Sequence, residues 1–161
     1  MNGVIRTIRG HRGVTIVEFA LVLPLLLILI FSIIDFGLYF FVEHTLQFAT
    51  REGVRLALVG RTLDDPNGNP LTREASIVKM ITDNAALAIN PSKLEISIYP
   101  VNPDYSDPTD WKTTQDAGGP GSYMRVKTRY YYQFITPLIG ALVPSGRILV
   151  QSQATYKNEL F

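Results

Sequence analysis

The sequence predicts an α+β protein: a long N-terminal transmembrane helix that continues into a small head with a helix and a three-stranded antiparallel sheet. Three observations support this fold class. An apolar run lies near the N-terminus, helical periodicity continues beyond it, and three strand-like segments follow. The length of 161 residues allows one modest domain. We therefore divide the chain into a basic leader (1–13), a long helix (14–59) and a globular extracytoplasmic head (60–161).

The composition argues against several classes of function. The formal net charge is +1, so no overall basic field favours nucleic acid. The chain has no cysteine, which excludes disulfides, thiol catalysis and thiolate metal sites. His11 and His44 lack ligand-spaced partners, and no catalytic triad or phosphate loop is recognisable. We therefore expect no enzyme activity, small-molecule substrate, cofactor or metal.

The apolar run, residues 14–34, contains a single charged side chain, Glu18. As a helix it would be roughly 31 Å long, about the hydrocarbon thickness of a bilayer. Pro24 is tolerated in a membrane helix, although it deprives the carbonyl of Ala20 of its usual hydrogen bond. The sequence thus predicts a membrane span over about residues 14–35, with a weak point at Pro24.

The charges beside the run predict its orientation. The segment before the run contains three arginines and no acidic residue: Arg6, Arg9 and Arg12. The charges beyond residue 41 nearly balance. This asymmetry predicts a cytoplasmic N-terminus, a single pass and an extracytoplasmic head. A conventional cleaved secretory signal fits poorly, because the apolar core is too long and no small-x-small cleavage site closes it.

Glu18 lies one turn into the run, and two interpretations are open. A carboxylate costs about 3 kcal/mol at mid-bilayer and less near the interface, so Glu18 can simply reach the cytoplasmic headgroups. Alternatively, cleavage after Gly13 makes Val14 a new N-terminus, four residues from Glu18 on the same helix face. The ammonium and the carboxylate, of one helix or of neighbouring helices, would then pair and fix the register.

The stretch "RGVTIVEFALVLPLLLILIFSIIDFG" resembles the N-terminus of type IV prepilins, and most closely the TadE-like pseudopilins of tight-adherence (Flp) pilus systems. "TREGVRLALVG", "ITPLIGALVP" and "VQSQATY" are also similar to this family, whereas residues 61–122 show no such likeness. The resemblance implies a minor pilin in a bacterial inner membrane, with a pilin-like head. A prepilin peptidase would cut between Gly13 and Val14, which places Glu18 at the fifth mature position.

The resemblance also implies a role and partners. The chain would help to assemble a thin adhesive pilus and could enter that pilus at the cell surface. Its partners would be membrane lipid, the prepilin peptidase, other pilins or pseudopilins and the pilus assembly platform. The alternative is an uncleaved, single-span scaffolding or binding subunit that faces the periplasm.

Two features of the long helix have alternative interpretations. A row of small residues, Ala49, Gly53 and Ala57, either seats the helix on the protein's own sheet or lets a partner backbone approach. Asp35, at the outer edge of the span, is either an interface residue with access to water or a partner contact whose donor comes from another chain. We favour the first interpretation for both, and we expect the helix to stop at Gly60.

The head is predicted from local patterns. Thr72 caps a helix over residues 73–89, and strands follow within 93–99, 123–134 and 147–156. We expect inward-facing side chains at Leu94, Ile96, Ile98, Met124, Val126, Thr128, Tyr130, Tyr132 and Phe134. We expect the intervening basic side chains to form a solvated face: Arg125, Lys127 and Arg129.

Three remaining segments leave alternatives open. Two oxygen-rich clusters are more typical of turns than of calcium sites: Asp64, Asp65, Asn67 and Asn69, and Asp104, Asp107, Asp110 and Asp116. The charge-free stretch "TPLIGALVP" either folds over the core of the head or forms an exposed patch that touches membrane or a sister subunit.

Overall fold

The computed structural model describes residues 11–160, with the side chains of 14–137 and 139–160. The helices are α1, His11–Leu58; α2, Arg73–Ala85; and α3, Pro137–Ala141. The strands are β1, Glu95–Pro100; β2, Tyr123–Gln133; and β3, Arg147–Lys157. Short 3-10 turns occupy Pro91–Lys93 and Pro144–Gly146. This confirms the predicted α+β fold, whereas most of the leader, including Arg6 and Arg9, lies outside the described residues.

Helix α1 is one unbroken helix that runs through Pro24. It ends one residue before the predicted end, and Gly60, at φ 66°, donates its amide to the carbonyl of Ala57 over 3.1 Å. The positive φ explains the glycine at this stop. The side chains of residues 14–34 are nearly all exposed, and burial begins at Asp35. The head therefore packs only on the C-terminal half of α1.

The sheet has the order β1-β2-β3 with both pairs antiparallel. Its inner face packs on α1 and α2, and the alternation predicted for β2 is confirmed: Met124, Val126, Thr128, Tyr132 and Phe134 are buried and Tyr130 is half-buried. Of the three side chains predicted to face inward in this region, Ile98 is fully buried, whereas Ile96 and Leu94, which lies just before β1, are half-buried. A pair of hydroxyls, Thr50 of α1 and Thr128 of β2, bond over 2.8 Å in the core.

Helix α2 begins where the sequence predicts. The side chain of Thr72 accepts from the amide of Ala75 over 3.2 Å, and Ile77, Ile81 and Ala85 are buried. The helix ends at Ala85, not at residue 89. Residues 86–89 form a turn instead, and Asn90 is extended, as expected of a residue that precedes proline.

The prediction of a solvated basic face on β2 is wrong. The loop 101–122 folds back over the outer face of β1 and β2, and it adds a parallel bridge between Ile98 and Gln115. Its Trp111 ring centroid lies 4.1 Å from Nζ of Lys127 and 4.7 Å from Cζ of Arg129. The basic side chains on this face are only 12–13% exposed. The helices therefore cover the inner face of the sheet, and the loop 101–122 covers its outer face over β1 and β2.

Candidate functional site

The N-terminal half of α1 is an exposed apolar rod. Val14 is 56% exposed, Leu25 69% and Ile33 64%, and no part of the head covers them. Among the described residues, α1 is the one helix long and apolar enough to cross a membrane. In water such a surface would carry a large free-energy cost, whereas in lipid the same exposure is favourable. The helix therefore suits the chain to single-pass membrane anchoring.

The predicted cleavage and pairing residues all lie at the start of this rod. Gly13 and Val14 are in the first turns of α1, and Glu18 follows one turn after Val14. The side chain of Glu18 is exposed, so no contact with the head occupies this carboxylate. Since residues four apart share one helix face, an amine at Val14 and the Glu18 carboxylate are neighbours. Processing at Gly13 and pairing at Glu18 stay predictions.

The prediction for Asp35 is wrong in one respect: this residue has no access to water. Asp35 is 1% exposed, and its two carboxylate oxygens accept the backbone amides of Ile135 over 3.1 Å and Thr136 over 2.9 Å. Both donors come from the same chain, so Asp35 needs no cation or donor from a partner. A buried carboxylate that accepts two amide hydrogen bonds is compensated without a countercharge.

An aromatic cluster surrounds this anchor. Tyr39 lies 5.7 Å from Tyr132 and 6.5 Å from Phe134, measured between ring centroids, and Phe36 lies 6.1 Å from Phe134. The hydroxyl of Tyr132 donates to the backbone carbonyl of Asp35 over 3.4 Å. Burial, and then the charge of Asp35, raise the pKa of Tyr132. Together these contacts hold the end of β2 against α1 where the exposed rod begins.

The small-residue row packs inside the chain. Ala49 is fully buried, Ala57 is 1% exposed, and Gly53 faces α2. A Cβ atom on Gly53 would lie 2.7 Å from Cδ1 of Ile81. The row therefore packs within its own chain, as expected, but the prediction that it packs on the sheet is wrong for Gly53, which packs on α2. In this fold all three residues are buried, so the row is closed to a partner backbone.

The oxygen-rich loops use their carboxylates within the loops. Asp65 accepts the amides of Asn67 and Asn69, each over 2.8 Å, and hydrogen bonds from Asn69 and then Asn67 hold its pKa below the usual value. Asp104 accepts the amide of Ser106 over 3.1 Å in the same manner. In the described part of the chain, no three acidic or histidine side chains converge as a metal site would require. These geometries are those of turns.

Asp107 belongs instead to the covered face of the sheet. It forms ion pairs with Arg125 and, over 3.1 Å, with Lys127, and it accepts the hydroxyl of Tyr99 over 2.8 Å. Partial burial disfavours the charged carboxylate. The hydrogen bonds from Tyr99, Lys127 and Arg125 outweigh this and hold the pKa of Asp107 below its usual value. Burial, and then the bond to Asp107, raise the pKa of Tyr99. Asp107 thus fastens the loop 101–122 to the sheet.

Comparison with known proteins bears on α1 in particular. The model of the TadE-like protein family matches residues 13–55. The resemblance to TadE-like proteins is confirmed over this segment. The match starts at Gly13, contains Glu18, Pro24 and Asp35, and stops within the part of α1 that packs on the head. It relates the chain to Tad pilus systems. A search of curated proteins and a search of solved structures each find no match.

The TadE-like match covers one continuous part of α1. It includes both the exposed rod and the residues of α1 that contact the head, down to Arg55. The likeness seen in "ITPLIGALVP" and "VQSQATY" lies outside the match and stays a prediction. The partners of Asp35 were missed, because they are backbone amides about 100 residues away. The one sequence signal for this buried contact was the charge of Asp35 between apolar neighbours.

Proposed function

We propose that this protein is a minor pilin or pseudopilin that takes part in the assembly of a tight-adherence (Flp, type IVc) pilus. The observation that carries the proposal is the TadE-like match over residues 13–55, which starts at the glycine that ends the basic leader. The division of α1 supports it, because one half is free for lipid or for other helices and the other half carries the head.

The proposed life cycle has three steps. The chain inserts with its N-terminus in the cytoplasm and its head outside the inner membrane. A prepilin peptidase removes the leader after Gly13 and exposes the amine of Val14. The helix then leaves the bilayer and packs against other pilins on the assembly platform, so that helix contacts replace lipid contacts. Its action is assembly and not catalysis, and it uses no cofactor and no nucleic acid.

Glu18 and Pro24 have distinct parts in this proposal. The carboxylate of Glu18 neutralises an N-terminal ammonium, its own or that of a neighbouring subunit, and so sets the stagger of the helices. This pairing is favourable in a low dielectric because either charge alone is costly there. Pro24 cannot donate a backbone hydrogen bond and so marks the turn of α1 that stretches most easily during extraction.

Intact mass tests the processing step. The protein is purified from cells with and without a prepilin peptidase, and we expect loss of residues 1–13 only where the peptidase is present. A full-length mass in both preparations would contradict processing. It would favour the alternative of an uncleaved single-span subunit facing the periplasm.

A charge-only substitution tests the pairing step. Glu18→Gln keeps the size of the side chain, so insertion and cleavage should be unchanged while the amount of pilus in sheared surface material falls. Glu43→Gln is the matched control on the same helix. Its side chain lies beyond the apolar run, and the glutamine oxygen can still accept from Gln47. Equal pilus yields from both variants would exclude a role for the Glu18 charge.

A further inference from the structure

The exposed apolar surface of α1 is longer than the hydrocarbon core of a bilayer. Residues 14–41 contain two charged side chains, Glu18 and Asp35, and Asp35 is buried. A helix of this length is roughly 42 Å long, whereas the hydrocarbon core is about 30 Å thick and the bilayer with its headgroups about 40–45 Å. The outer turns, where Phe36 is 48% and Phe40 52% exposed, therefore lie among the headgroups.

The base of the head, residues 134–147, is held beside these outer turns of α1. Asp35 binds the amides of Ile135 and Thr136 at 3.1 and 2.9 Å, so the segment that follows β2 lies beside the turn of α1 that holds Asp35. Two large apolar side chains of this segment point away from the core: Ile135 is 70% exposed and Leu142 is 81% exposed. Ile139, between them, is buried against the core and anchors α3.

The charge distribution of this base suits a lipid surface. Residues 134–146 contain no charged side chain. The next residue, Arg147, is exposed and stands opposite Gln133 at the end of the sheet nearest Asp35. An arginine can place its apolar stem against lipid tails and its guanidinium among the phosphates. Apolar tips beside one basic group form the pattern expected of a surface that lies in the headgroup region.

We propose that Ile135 and Leu142 dock the base of the head into the headgroup region of the bilayer that α1 spans. The occupant is phospholipid, because this apolar segment starts at residues 135 and 136, whose amides bind Asp35 at the outer end of the exposed apolar part of α1. Docking fixes the tilt of the head on the membrane before any assembly step. The inference requires only the membrane span, so it holds whether or not the chain is a pilin.

Site-specific labelling tests this docking. Because the chain has no cysteine, one substitution gives one labelling site in the full-length protein. The variants Ile135→Cys and Leu142→Cys are labelled with an environment-sensitive fluorophore and reconstituted into vesicles of phosphatidylethanolamine and phosphatidylglycerol. Some of the lipids carry a nitroxide quencher near the headgroup. Leu160→Cys is the matched control, since Leu160 is 90% exposed and follows Glu159, whose amide binds the carbonyl of Leu58 at the far end of α1.

We expect the labels at 135 and 142 to lose fluorescence to the lipid quencher and to shift to the blue, which indicates burial about 5–10 Å into the headgroup boundary. The label at 160 should keep its fluorescence. A label at Leu25→Cys, near the middle of the span, establishes insertion when its emission is shifted to the blue in every preparation used. The single tryptophan, Trp111, reports that each head is folded.

Two results would overturn the proposal. In the first, the labels at 135 and 142 are quenched no more than the label at 160, which places the base of the head in water. In the second, both labels are shielded from the lipid quencher and from aqueous iodide, and this shielding falls as the protein is diluted in lipid. Such a result would assign the surface to a second subunit.

Discussion

The carboxylate of Asp35 binds the backbone amide of Thr136 over 2.9 Å, although 100 residues separate them along the chain. The amide of Ile135 binds the other carboxylate oxygen. The head is therefore attached to α1 at the turn where the exposed rod ends, and one buried side chain fixes the position of the segment after β2 on the helix. These two hydrogen bonds give the junction between the rod and the head a defined geometry.

Removal of the Asp35 carboxylate should loosen this junction. Asp35→Ala leaves two amides without their acceptor, and we expect a loss of about 1–3 kcal/mol in the free energy of unfolding of the full-length protein in detergent. Hydrogen exchange of the amides of Ile135 and Thr136 should accelerate. Asp35→Asn, which retains one acceptor oxygen, should give an intermediate loss. Unchanged exchange in Asp35→Ala would show that the aromatic cluster alone holds the segment.

The close packing of Gly53 against Ile81 predicts that a glycine-to-alanine substitution in α1 changes stability by an amount that depends strongly on its position. Gly53→Ala places a methyl group against the fully buried Ile81, so we expect a loss of about 1–3 kcal/mol in the free energy of unfolding. Gly37→Ala is the matched control, because nothing lies within 4 Å of its added Cβ. That variant should be neutral or more stable by up to about 1 kcal/mol, since alanine favours helices. Equal effects would mean that the two helices pack less closely than described.

The low pKa of Asp107 predicts a loss of stability in acid. A carboxyl with a pKa below its unfolded value of about 3.9 stabilises the fold above that pH, and the contribution disappears as the pH falls towards the folded pKa. Asp107→Asn should therefore unfold at lower urea than the wild type at pH 7, and the difference should shrink near pH 3. Trp111 fluorescence follows this unfolding, because Trp111 lies on the same covered face.

The control for Asp107 is another aspartate paired with a lysine. Asp83 binds Lys79 over 2.6 Å on the surface of α2, where its side chain is 60% exposed. Asp83→Asn should change stability by less than about 0.5 kcal/mol at either pH, because water screens exposed pairs. If Asp83→Asn and Asp107→Asn behaved alike, the ion pairs under the loop would contribute no more than surface pairs do.

Two buried tyrosines should respond differently to loss of the hydroxyl. Tyr156 is 6% exposed, and its hydroxyl has no hydrogen-bond partner within residues 11–160. Tyr156→Phe should thus be neutral or stabilising by up to about 1 kcal/mol. The hydroxyl of Tyr99 donates to Asp107, so Tyr99→Phe should cost about 1–3 kcal/mol. Urea unfolding at pH 7 measures both, and a larger loss in Tyr156→Phe would contradict the assignment.

Alkaline pH provides a second test of Tyr156. Burial raises the pKa of Tyr156 to about 12, above the ordinary value of about 10. The neutral hydroxyl is thus favoured in the folded state, and this contribution is full below pH 10 and declines as the pH rises towards 12. Tyr156→Phe should lose less stability than the wild type between pH 9 and pH 11, since its ring cannot ionise.

Local sequence patterns were enough to predict the helices and strands. They did not predict the contacts between residues far apart in the chain. The alternation in β2 predicted its buried face, because each side chain reports its own position on a pleated strand. The same alternation placed Arg125 and Lys127 in water. That was wrong, because the loop 101–122 returns to the outer face and supplies Asp107 and Trp111. Nothing in the spacing of loop residues indicates which face of a sheet they cover.

The sequence by itself determined the exposed rod, the helix that continues from it and the positions of the three strands along the chain. Hydropathy and periodicity are properties of neighbouring residues. It also determined the TadE-like segment at 13–55. Only the tertiary structure decided that Asp35 is an anchor and that Gly53 seats α1 on α2. Both depend on groups far away in the chain, the amides of 135–136 and the side chain of Ile81, which only folding brings within contact.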